Sequence, residues 1–232
     1  DEVDLTFGGE TPESVFIVGP NGAGKTTLVN LLTGHHEPDA GRVVLDGDDV
    51  TDMAVPARVD RGLVRSFQVV EVFEETTVRE NIRVAVLSQQ GRTSSLFSLR
   101  DEFEDTERRV ATLIEQFELE EYADEPAEEL PHGTRKLLDV AITFALEPSY
   151  LILDEPTSGV SSREKNAVIE TITDVSAERG VTTITIEHDM DIVREYADRV
   201  IALHQGRVIG AGEPSILETD DELRRILLGV GA

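Results

Sequence analysis

The sequence predicts an α/β fold in which helices cover both faces of a mainly parallel sheet. Short apolar runs, such as residues 15–18 and 151–153, alternate along the chain with longer segments of helical periodicity. This alternation is typical of strand–helix–strand units, whose strands run parallel. A glycine-rich loop joins the run at 15–18 to a helical segment, so we expect an anion-binding site where that strand ends.

The elements follow the same logic in order. Residues 3–7 alternate between apolar and polar side chains and predict a half-buried strand. The remaining predicted strands are 15–18, 41–47, 61–68, 150–153, 181–186, 200–203 and 207–209, the last two forming a hairpin around residues 204–206. The predicted helices are 27–32, 135–146, 162–175, 189–197 and 213–228.

The middle of the chain has a different character. From about residue 69 to 130 it consists of long acidic segments with helical periodicity. Two apolar stripes, Thr76-Val78-Ile82-Val86 and Val110-Leu113-Ile114-Phe117, flank a polar loop at 89–95. We expect a helical lobe at residues 69–135, inserted into an α/β core made of residues 1–68 and 136–232.

Composition limits the classes of function. The 232 residues suffice for one compact domain, or for a core with a smaller attached lobe. The 47 Asp and Glu residues against 21 Lys and Arg give a formal net charge of −26. Nucleic acid is not an expected partner, because phosphates repel such a surface and the sequence shows no basic stripe. The absence of Cys removes any disulfide framework.

The acidic, lysine-poor composition also resembles that of cytosolic proteins from salt-loving microbes. Lys25, Lys136 and Lys165 are the only lysines in the sequence. In molar salt the Debye length is about 3 Å, so self-repulsion would be screened. An ordinary acidic protein is the alternative interpretation.

The segment 19–26 carries the strongest functional signal. It fits the pattern G-x-x-x-x-G-K-[ST] at every fixed position, between a predicted strand and a predicted helix. Backbone N–H groups and the helix dipole of such a loop converge on a phosphate. Lys25 supplies a positive charge for the outer phosphates, and the Thr26 hydroxyl can ligate Mg²⁺. The predicted nucleotide-binding residues are Gly19, Pro20, Asn21, Gly22, Ala23, Gly24, Lys25, Thr26 and Thr27.

A second group of polar residues follows other predicted strands. Asp154 and Glu155 end the apolar run at 151–153. Asp154 can hold Mg²⁺, and Glu155 can orient and polarise the water that attacks a terminal phosphate. His188 follows the strand at 181–186, where its imidazole can reach that phosphate. Gln68 stands at a strand end too, suited to Mg²⁺ or water, and is the expected pivot into the helical lobe.

These motifs, taken in order, resemble those of an ABC transporter ATP-binding subunit over essentially the whole chain. A phosphate loop alone would indicate only a P-loop NTPase, whereas the ordered set is highly specific. The positions that carry the resemblance are 19–26 (Walker A), Gln68 (Q-loop), 130–134 (signature), Asp154 and Glu155 (Walker B), 158–161 (D-loop) and His188 (H-loop).

The resemblance implies a P-loop NTPase (RecA-like) core with a mainly parallel sheet, an N-terminal antiparallel β portion and an inserted helical lobe. It implies an ATPase that uses ATP and Mg²⁺ and is coupled to transport. Two copies, or this chain and a paralogous ATPase subunit, would sandwich two ATP molecules between the Walker A loop of one and the signature of the other. Pro131, His132 and Gly133 would then bind nucleotide in trans. The helical lobe would grip transmembrane permease subunits, which places the chain in the cytoplasm on the inner face of the membrane. The catalytic residues expected are Lys25, Gln68, Glu155 and His188, and the metal ligands expected are Thr26, Gln68 and Asp154.

Within the family, residues 65–68, 130–133, 198–209 and 228–229 resemble subunits that serve branched-chain amino-acid importers. Subunits for urea or other amides share these features and remain an alternative. A soluble ABC-type ATPase of translation or DNA repair is a second one, although the chain lacks tandem cassettes and long coiled-coil insertions. A regulatory module without turnover is a third, against which Glu155 and His188 count.

The chain departs from the family pattern at three places. Pro131 replaces the signature serine that contacts the γ-phosphate in trans, which leaves backbone N–H groups near Gly133 and the side chain of His132. The D-loop has Gly-Val-Ser at 159–161 where Ala-Leu-Asp is common. The family's adenine-stacking aromatic residue lies upstream of the strand that 3–7 resembles. We therefore expect a truncated N-terminus and interpret Phe7 as a core residue.

Overall fold

The computed structural model describes residues 3–9, 11–66, 72–89 and 99–228, with all their side chains except those of 99–102 and 228. Gln68 and residues 90–95 of the predicted loop lie outside this part of the chain. The strands within it are β1 (Ser14–Val18), β2 (Val44–Leu45), β3 (Asp48–Asp49), β4 (Leu63–Arg65), β5 (Tyr150–Asp154), β6 (Thr182–Ile186), β7 (Arg199–His204) and β8 (Arg207–Gly212).

Helices connect and cover these strands. None of those within the described ranges is both long enough and apolar enough to cross a membrane. Short 3₁₀ turns occur at Glu120–Tyr122 and Ala127–Glu129. The α-helices are α1 (Lys25–Thr33), α2 (Val55–Val59), α3 (Val78–Gln89), α4 (Leu99–Gln116), α5 (His132–Phe144), α6 (Lys165–Arg179), α7 (Met190–Tyr196), α8 (Ile216–Thr219) and α9 (Asp221–Leu228).

Six of the described strands form one sheet in the order β4-β5-β6-β1-β7-β8, in which only β8 runs antiparallel. Ile17 of β1 pairs with Ile186 of β6 on one side and with Ile201 of β7 on the other. Since β5, β6 and β1 are parallel neighbours, the segments that follow them leave the sheet at one edge. The mainly parallel sheet predicted from the sequence is confirmed.

Strand β1 is buried on both faces. Val15 and Ile17 belong to one apolar cluster, which α1 helps to form, and Phe16 and Val18 belong to another, which includes residues of α7. A strand covered by helices on both sides needs apolar residues at every position, which explains why residues 15–18 do not alternate.

The helical segments between β4 and β5 bury the predicted apolar stripes. Val78, Ile82 and Val86 of α3 are fully buried, as are Val110 of α4 and Phe117 just beyond it. They belong to one cluster with residues of β4, β5 and α6, so the helices pack directly onto the sheet. The apolar members of both stripes are therefore buried, whereas Thr76 is only partly buried.

The strand predicted at residues 3–7 is wrong. The backbone of residues 3–9 forms no strand, although Leu5 and Phe7 are half-buried and pack against the cluster that contains β1. Side chains bind this backbone instead of a neighbouring strand: Arg199 Nη2 donates to Thr6 O at 2.5 Å, and Glu13 Oε1 accepts from Gly8 N at 2.7 Å. The alternation therefore predicted the partial burial of Leu5 and Phe7 correctly, but Val3 is exposed and the segment forms no strand.

Most other predicted elements also differ in their bounds; the helix predicted at 162–175, for example, is α6 (Lys165–Arg179). The strand predicted at 41–47 is reduced to β2, which pairs with β3 across the tight turn Asp46-Gly47, where both residues have positive φ. Asp220 divides the predicted helix 213–228 into α8 and α9, because its Oδ1 accepts from the N–H groups of Glu222 and Leu223 and so begins a new helix. Helix α5 begins at His132, three residues earlier than predicted.

Candidate functional site

The carboxyl ends of β1, β5 and β6 enclose a cleft of about 230 Å³. It lies where parallel strands of an α/β sheet present their following loops, the usual position of a ligand site. The residues that line it are Asn21, Gly22, Ala23, Gly24, Lys25, Thr26, Thr27, Asp154, Glu155, Ile186 and His188.

The loop between β1 and α1 has its shape fixed by close backbone contacts. A Cβ atom on Gly19 would lie 2.3 Å from the carbonyl oxygen of Leu203, so no other residue fits there. On the far side, Gly206 N donates to Ala23 O at 2.8 Å, which ties the loop to the turn between β7 and β8. These contacts to the end of β7 and the turn after it fix the backbone of the loop around the cleft.

Lys25 points back into this loop. Its buried Nζ donates to Gly19 O at 2.7 Å and to Pro20 O at 3.3 Å. Burial lowers the pKa of Lys25, and the negative charges of Glu155 and Asp154 oppose that shift. Both of these hydrogen-bond partners are neutral carbonyl groups, so the charge of Lys25 is available to an anion, and phosphate oxygens entering the cleft would find a positioned cation.

Asp154 is the last residue of β5, and a buried arginine holds its carboxylate. Arg65 Nη2 donates to Asp154 Oδ2 at 2.6 Å, while Arg65 Nη1 donates to Asn30 Oδ1 at 2.9 Å. The Arg65 side chain is only 4% exposed. Arg65 was not among the site residues predicted from the sequence, although a charge at the end of the apolar strand β4 was an available signal.

Glu155 follows in a strained conformation and touches His188. Its φ of 51° lies in the left-handed region, which a non-glycine residue enters at a cost of about 1–3 kcal/mol. The Glu155 N–H donates to Ile186 O at 2.9 Å, and Glu155 Oε1 lies 3.0 Å from His188 Nε2. The structure thus brings together Glu155 and His188, two of the four residues expected to be catalytic; Lys25 lines the same cleft, and Gln68 lies outside the described residues.

The donors in the cleft fit a magnesium ion. Thr26 and Asp154 line the same cleft, and hydroxyl and carboxylate oxygens are ligands that Mg²⁺ prefers. Two protein ligands leave several coordination positions for phosphate oxygens and water, which is how Mg²⁺ is usually held beside a nucleotide. Gln68, the third ligand predicted, lies outside the described residues.

The signature residues do not reach this cleft in their own chain. Pro131 caps α5, and His132 and Gly133 begin it. The His132 ring lies against the D-loop, because a Cβ atom on Gly159 would stand 2.7 Å from His132 Nε2. Binding of nucleotide by these three residues in trans stays a prediction.

A second residue missed by the sequence analysis lies behind the cleft. Glu187, which lies between Ile186 and His188 in the sequence, is buried. Its carboxylate accepts hydrogen bonds from the hydroxyl group of Thr157 and from the backbone N–H of His188. Its signal was an acidic residue placed immediately after a buried strand.

Comparison with known proteins agrees with this geometry. A family model described as ABC transporter matches residues 3–158. The chain is 34% identical over 222 residues to the high-affinity branched-chain amino acid transport ATP-binding protein LivG of Escherichia coli K12, covering 94% of this chain and 87% of that protein. It is 33% identical over 226 residues to the corresponding protein BraF of Pseudomonas aeruginosa, covering 95% and 88%.

Solved structures give the same result. The ADP conformation of MJ1267, an ATP-binding cassette of an ABC transporter, has a TM-score of 0.79 at 28% identity and covers 94% of this chain and 89% of that one. A nucleotide-free ATP-binding cassette from an ABC transporter has a TM-score of 0.82 at 26% identity, with coverages of 100% and 92%. With the family model spanning more than half of the sequence and relatives covering nearly all of it, the chain belongs to the ABC transporter family as an ATP-binding subunit.

Proposed function

We propose that this chain hydrolyses ATP to power a membrane importer, and that the imported substrates are branched-chain amino acids. The contact between Glu155 and His188 beside the phosphate loop carries the proposal for hydrolysis, because a module that only bound nucleotide would not need it. The similarity to LivG and BraF, which serve branched-chain amino acid transport, supports the choice of substrate.

The residues of the cleft divide the work of hydrolysis. Backbone N–H groups of the loop and Lys25 bind the phosphates of ATP, and Thr26 and Asp154 hold Mg²⁺. When bound there, Mg²⁺ would supply positive charge to neutralise the charge that develops on the phosphate oxygens. Glu155 orients the attacking water and accepts its proton, while His188 fixes Glu155 and reaches the terminal phosphate. Gln68 is assigned to Mg²⁺ and water on sequence grounds alone.

The cleft needs a second subunit to close it. His132 and Gly133 do not line the cleft of their own chain, so the signature serves the nucleotide of a partner, either a second copy or a paralogous ATPase subunit. We further propose that the helical lobe, residues 69–135, binds permease subunits at the inner face of the membrane. In that arrangement the core, residues 1–68 and 136–232, supplies the phosphate loop.

The net charge suggests where the protein works. A formal charge of −26 on 232 residues destabilises a compact fold through self-repulsion, which molar salt screens. We propose a cell interior of high salt content. Thermal melting in rising KCl checks this: the melting temperature should climb steadily up to molar concentrations. A melting temperature that is unchanged or falls would contradict it.

Activity and transport test the main proposal separately. The purified protein should hydrolyse ATP, and removing Mg²⁺ with a chelator should abolish the activity. Deleting its gene should reduce cellular uptake of labelled leucine, isoleucine and valine, and the wild-type gene should restore it. Loss of urea uptake alone would move the substrate to the amide class. Active uptake with no ATPase activity in the purified protein would refute the enzymatic role.

A further inference from the structure

Glu187 is a buried carboxylate to which the proposed hydrolysis assigns no task. Its side chain is embedded behind the cleft, and only 4% of it is exposed. Oε1 accepts a hydrogen bond from the hydroxyl group of Thr157, and Oε2 accepts from the backbone N–H of His188 at 2.8 Å and of Asp189 at 3.3 Å. Burying a carboxylate is costly unless donors surround it, so three converging donors mark a specific arrangement.

The partners of Glu187 belong to two different turns. Thr157 lies two residues after Glu155, in the turn that follows β5, and is itself buried. His188 lies in the turn that follows β6. Within the first turn, Ser158 N donates to Glu155 O at 3.0 Å, which closes the turn that contains both Glu155 and Thr157. Glu187 therefore fastens the turn that carries Glu155 to the turn that carries His188.

The side chains on the cleft side need this support. Glu155 and His188 meet at 3.0 Å, yet 44% and 41% of their side chains are exposed, so packing alone does not fix them. The backbone of Glu155 is also in a strained left-handed conformation, which persists only when surrounding contacts hold it. The buried hydrogen bonds of Glu187 supply such contacts directly beneath the pair.

We propose that Glu187 is a positioning residue for ATP hydrolysis: by clamping Thr157 to the backbone of His188, it sets the contact between His188 and Glu155. The inference rests on the proposed ATPase function. A displacement of about 1 Å in a catalytic group can cost up to roughly a hundredfold in rate. Because the phosphate loop lies on other elements, ATP binding should be spared, and kcat should fall without a matching change in KM.

Removing either partner of the hydrogen bond between Glu187 and Thr157 tests this proposal. In the purified protein, Glu187→Ala and Thr157→Val should each lower kcat about tenfold or more, with KM within about threefold of wild type. Thr157→Ser keeps the hydroxyl group and should restore kcat. Glu187→Gln should stay within about threefold, because the amide oxygen can accept the backbone N–H groups while its NH₂ donates to Thr157.

A matched control separates positioning from general destabilisation. Thr183 on β6 is also buried, and its hydroxyl donates to Ser14 Oγ at 3.2 Å. Thr183→Val makes the same chemical change away from the cleft and should leave kcat within about twofold. If Thr183→Val lowered kcat as much as Thr157→Val, or if Glu187→Gln were as impaired as Glu187→Ala, the clamp would be refuted.

A double-mutant cycle tests the route through His188. In a His188→Ala background, Glu187→Ala should cost less than about threefold, because the group that it positions is already gone. An undiminished cost in that background, or wild-type kcat for both Glu187→Ala and Thr157→Val, would overturn the proposal. An inactive wild-type protein would instead indicate that the ATPase function itself is wrong.

Discussion

Charged side chains are buried at the carboxyl edge of the sheet but lie nearer the surface on the helical side of the molecule, which consists of α3, α4 and α5. At the sheet edge, Lys25, Arg65 and Glu187 are buried, and each makes hydrogen bonds to protein atoms. On the helical side, the cluster beneath α3, α4 and α5 is apolar. Charged groups there pair nearer the surface, as Arg83 does with Glu107 at 2.6 Å.

The difference indicates what each region contributes. Buried ionic groups add little net stability, because desolvation offsets their attraction, but they fix geometry. Apolar burial supplies about 25 cal/mol per Å² of stability and is non-directional, so it fixes geometry less specifically than a hydrogen bond does. Substitutions on the helical side should therefore change the free energy of unfolding, and substitutions at the sheet edge should change turnover. Three experiments could break or sharpen that division.

Phe117 offers the largest expected effect, on stability alone. Its ring is fully buried and lies 5.3 Å from the ring of Phe144. Phe117→Ala removes this aromatic pair and leaves a cavity, so the free energy of unfolding should fall by about 3–5 kcal/mol. Urea denaturation measures the loss, and kcat at a temperature where the variant is folded should stay near the wild-type value.

Phe103 on α4 is the matched control, because 62% of it is exposed. Phe103→Ala makes the same chemical change where no cavity forms and should alter stability by about 0.5 kcal/mol or less. If Phe117→Ala lowered kcat by tenfold while folded, the helical side would share in catalysis and the division between the regions would fail.

Glu155→Gln should show the reverse pattern. The amide keeps the shape of the side chain but cannot accept the proton of water, so kcat should fall by about a hundredfold or more. Because the side chain of Glu155 is 44% exposed and lies in a cleft, the melting temperature should move by less than about 2 °C. ATP binding should persist, and gel filtration with ATP should show a dimer that is absent without nucleotide.

Activity within a few-fold of wild type would remove Glu155 from its role as catalytic base. A variant that stays monomeric with ATP bound would instead count against the two-subunit arrangement. Glu164→Gln, at the exposed side chain that follows the D-loop, is a matched control and should keep its activity within about twofold.

The sequence predicted the residues that line the cleft better than it predicted the buried residues that hold them in place. The phosphate loop, Asp154, Glu155 and His188 are recognisable because each directly follows an apolar strand, and the structure places them around one cleft. Arg65 was missed because its partner Asp154 lies 89 positions away in the sequence. Glu187 was missed for the same reason. A local pattern shows that the position after a strand is buried, but it does not show the hydrogen-bond donor from elsewhere in the chain that allows a carboxylate to be buried there.

The same limit explains the errors in the fold. Residues 3–7 alternate as a strand does, but whether an alternating segment pairs with a strand depends on distant neighbours. Here Arg199 and Glu13 occupy the backbone of Thr6 and Gly8. By contrast, the stripe of α3 was predicted correctly, because its periodicity reports burial on one helix and requires no knowledge of the partner.

Asp139 on α5 is the exception to the contrast between the two regions. Asp139 is only 7% exposed. Among the side chains that the structure describes on α3, α4 and α5, it is the one buried charged residue. Burial raises the pKa of Asp139 to about 6, and the neighbouring charges of Lys136 and Arg135 oppose the shift. The folded protein therefore holds a proton here at acidic pH that the unfolded chain has already released.

This exchange gives a stability change with a definite sign. Between about pH 4 and pH 6 the native state binds more protons at Asp139 than the unfolded state, so this residue destabilises the protein progressively as the pH rises. Asp139→Asn removes the ionisation and should be more stable than wild type by roughly 2–3 kcal/mol at pH 7–8, and about equal to it below pH 4.

Other carboxylates, such as Glu107, have a lowered pKa and add an opposite slope to the pH dependence of stability, so the informative quantity is the difference in unfolding free energy between variant and wild type at each pH. If the Asp139 difference were flat from pH 4 to 8, the carboxylate would be as well stabilised in its charged form as those at the sheet edge, and charge on the two sides of the molecule would follow one rule.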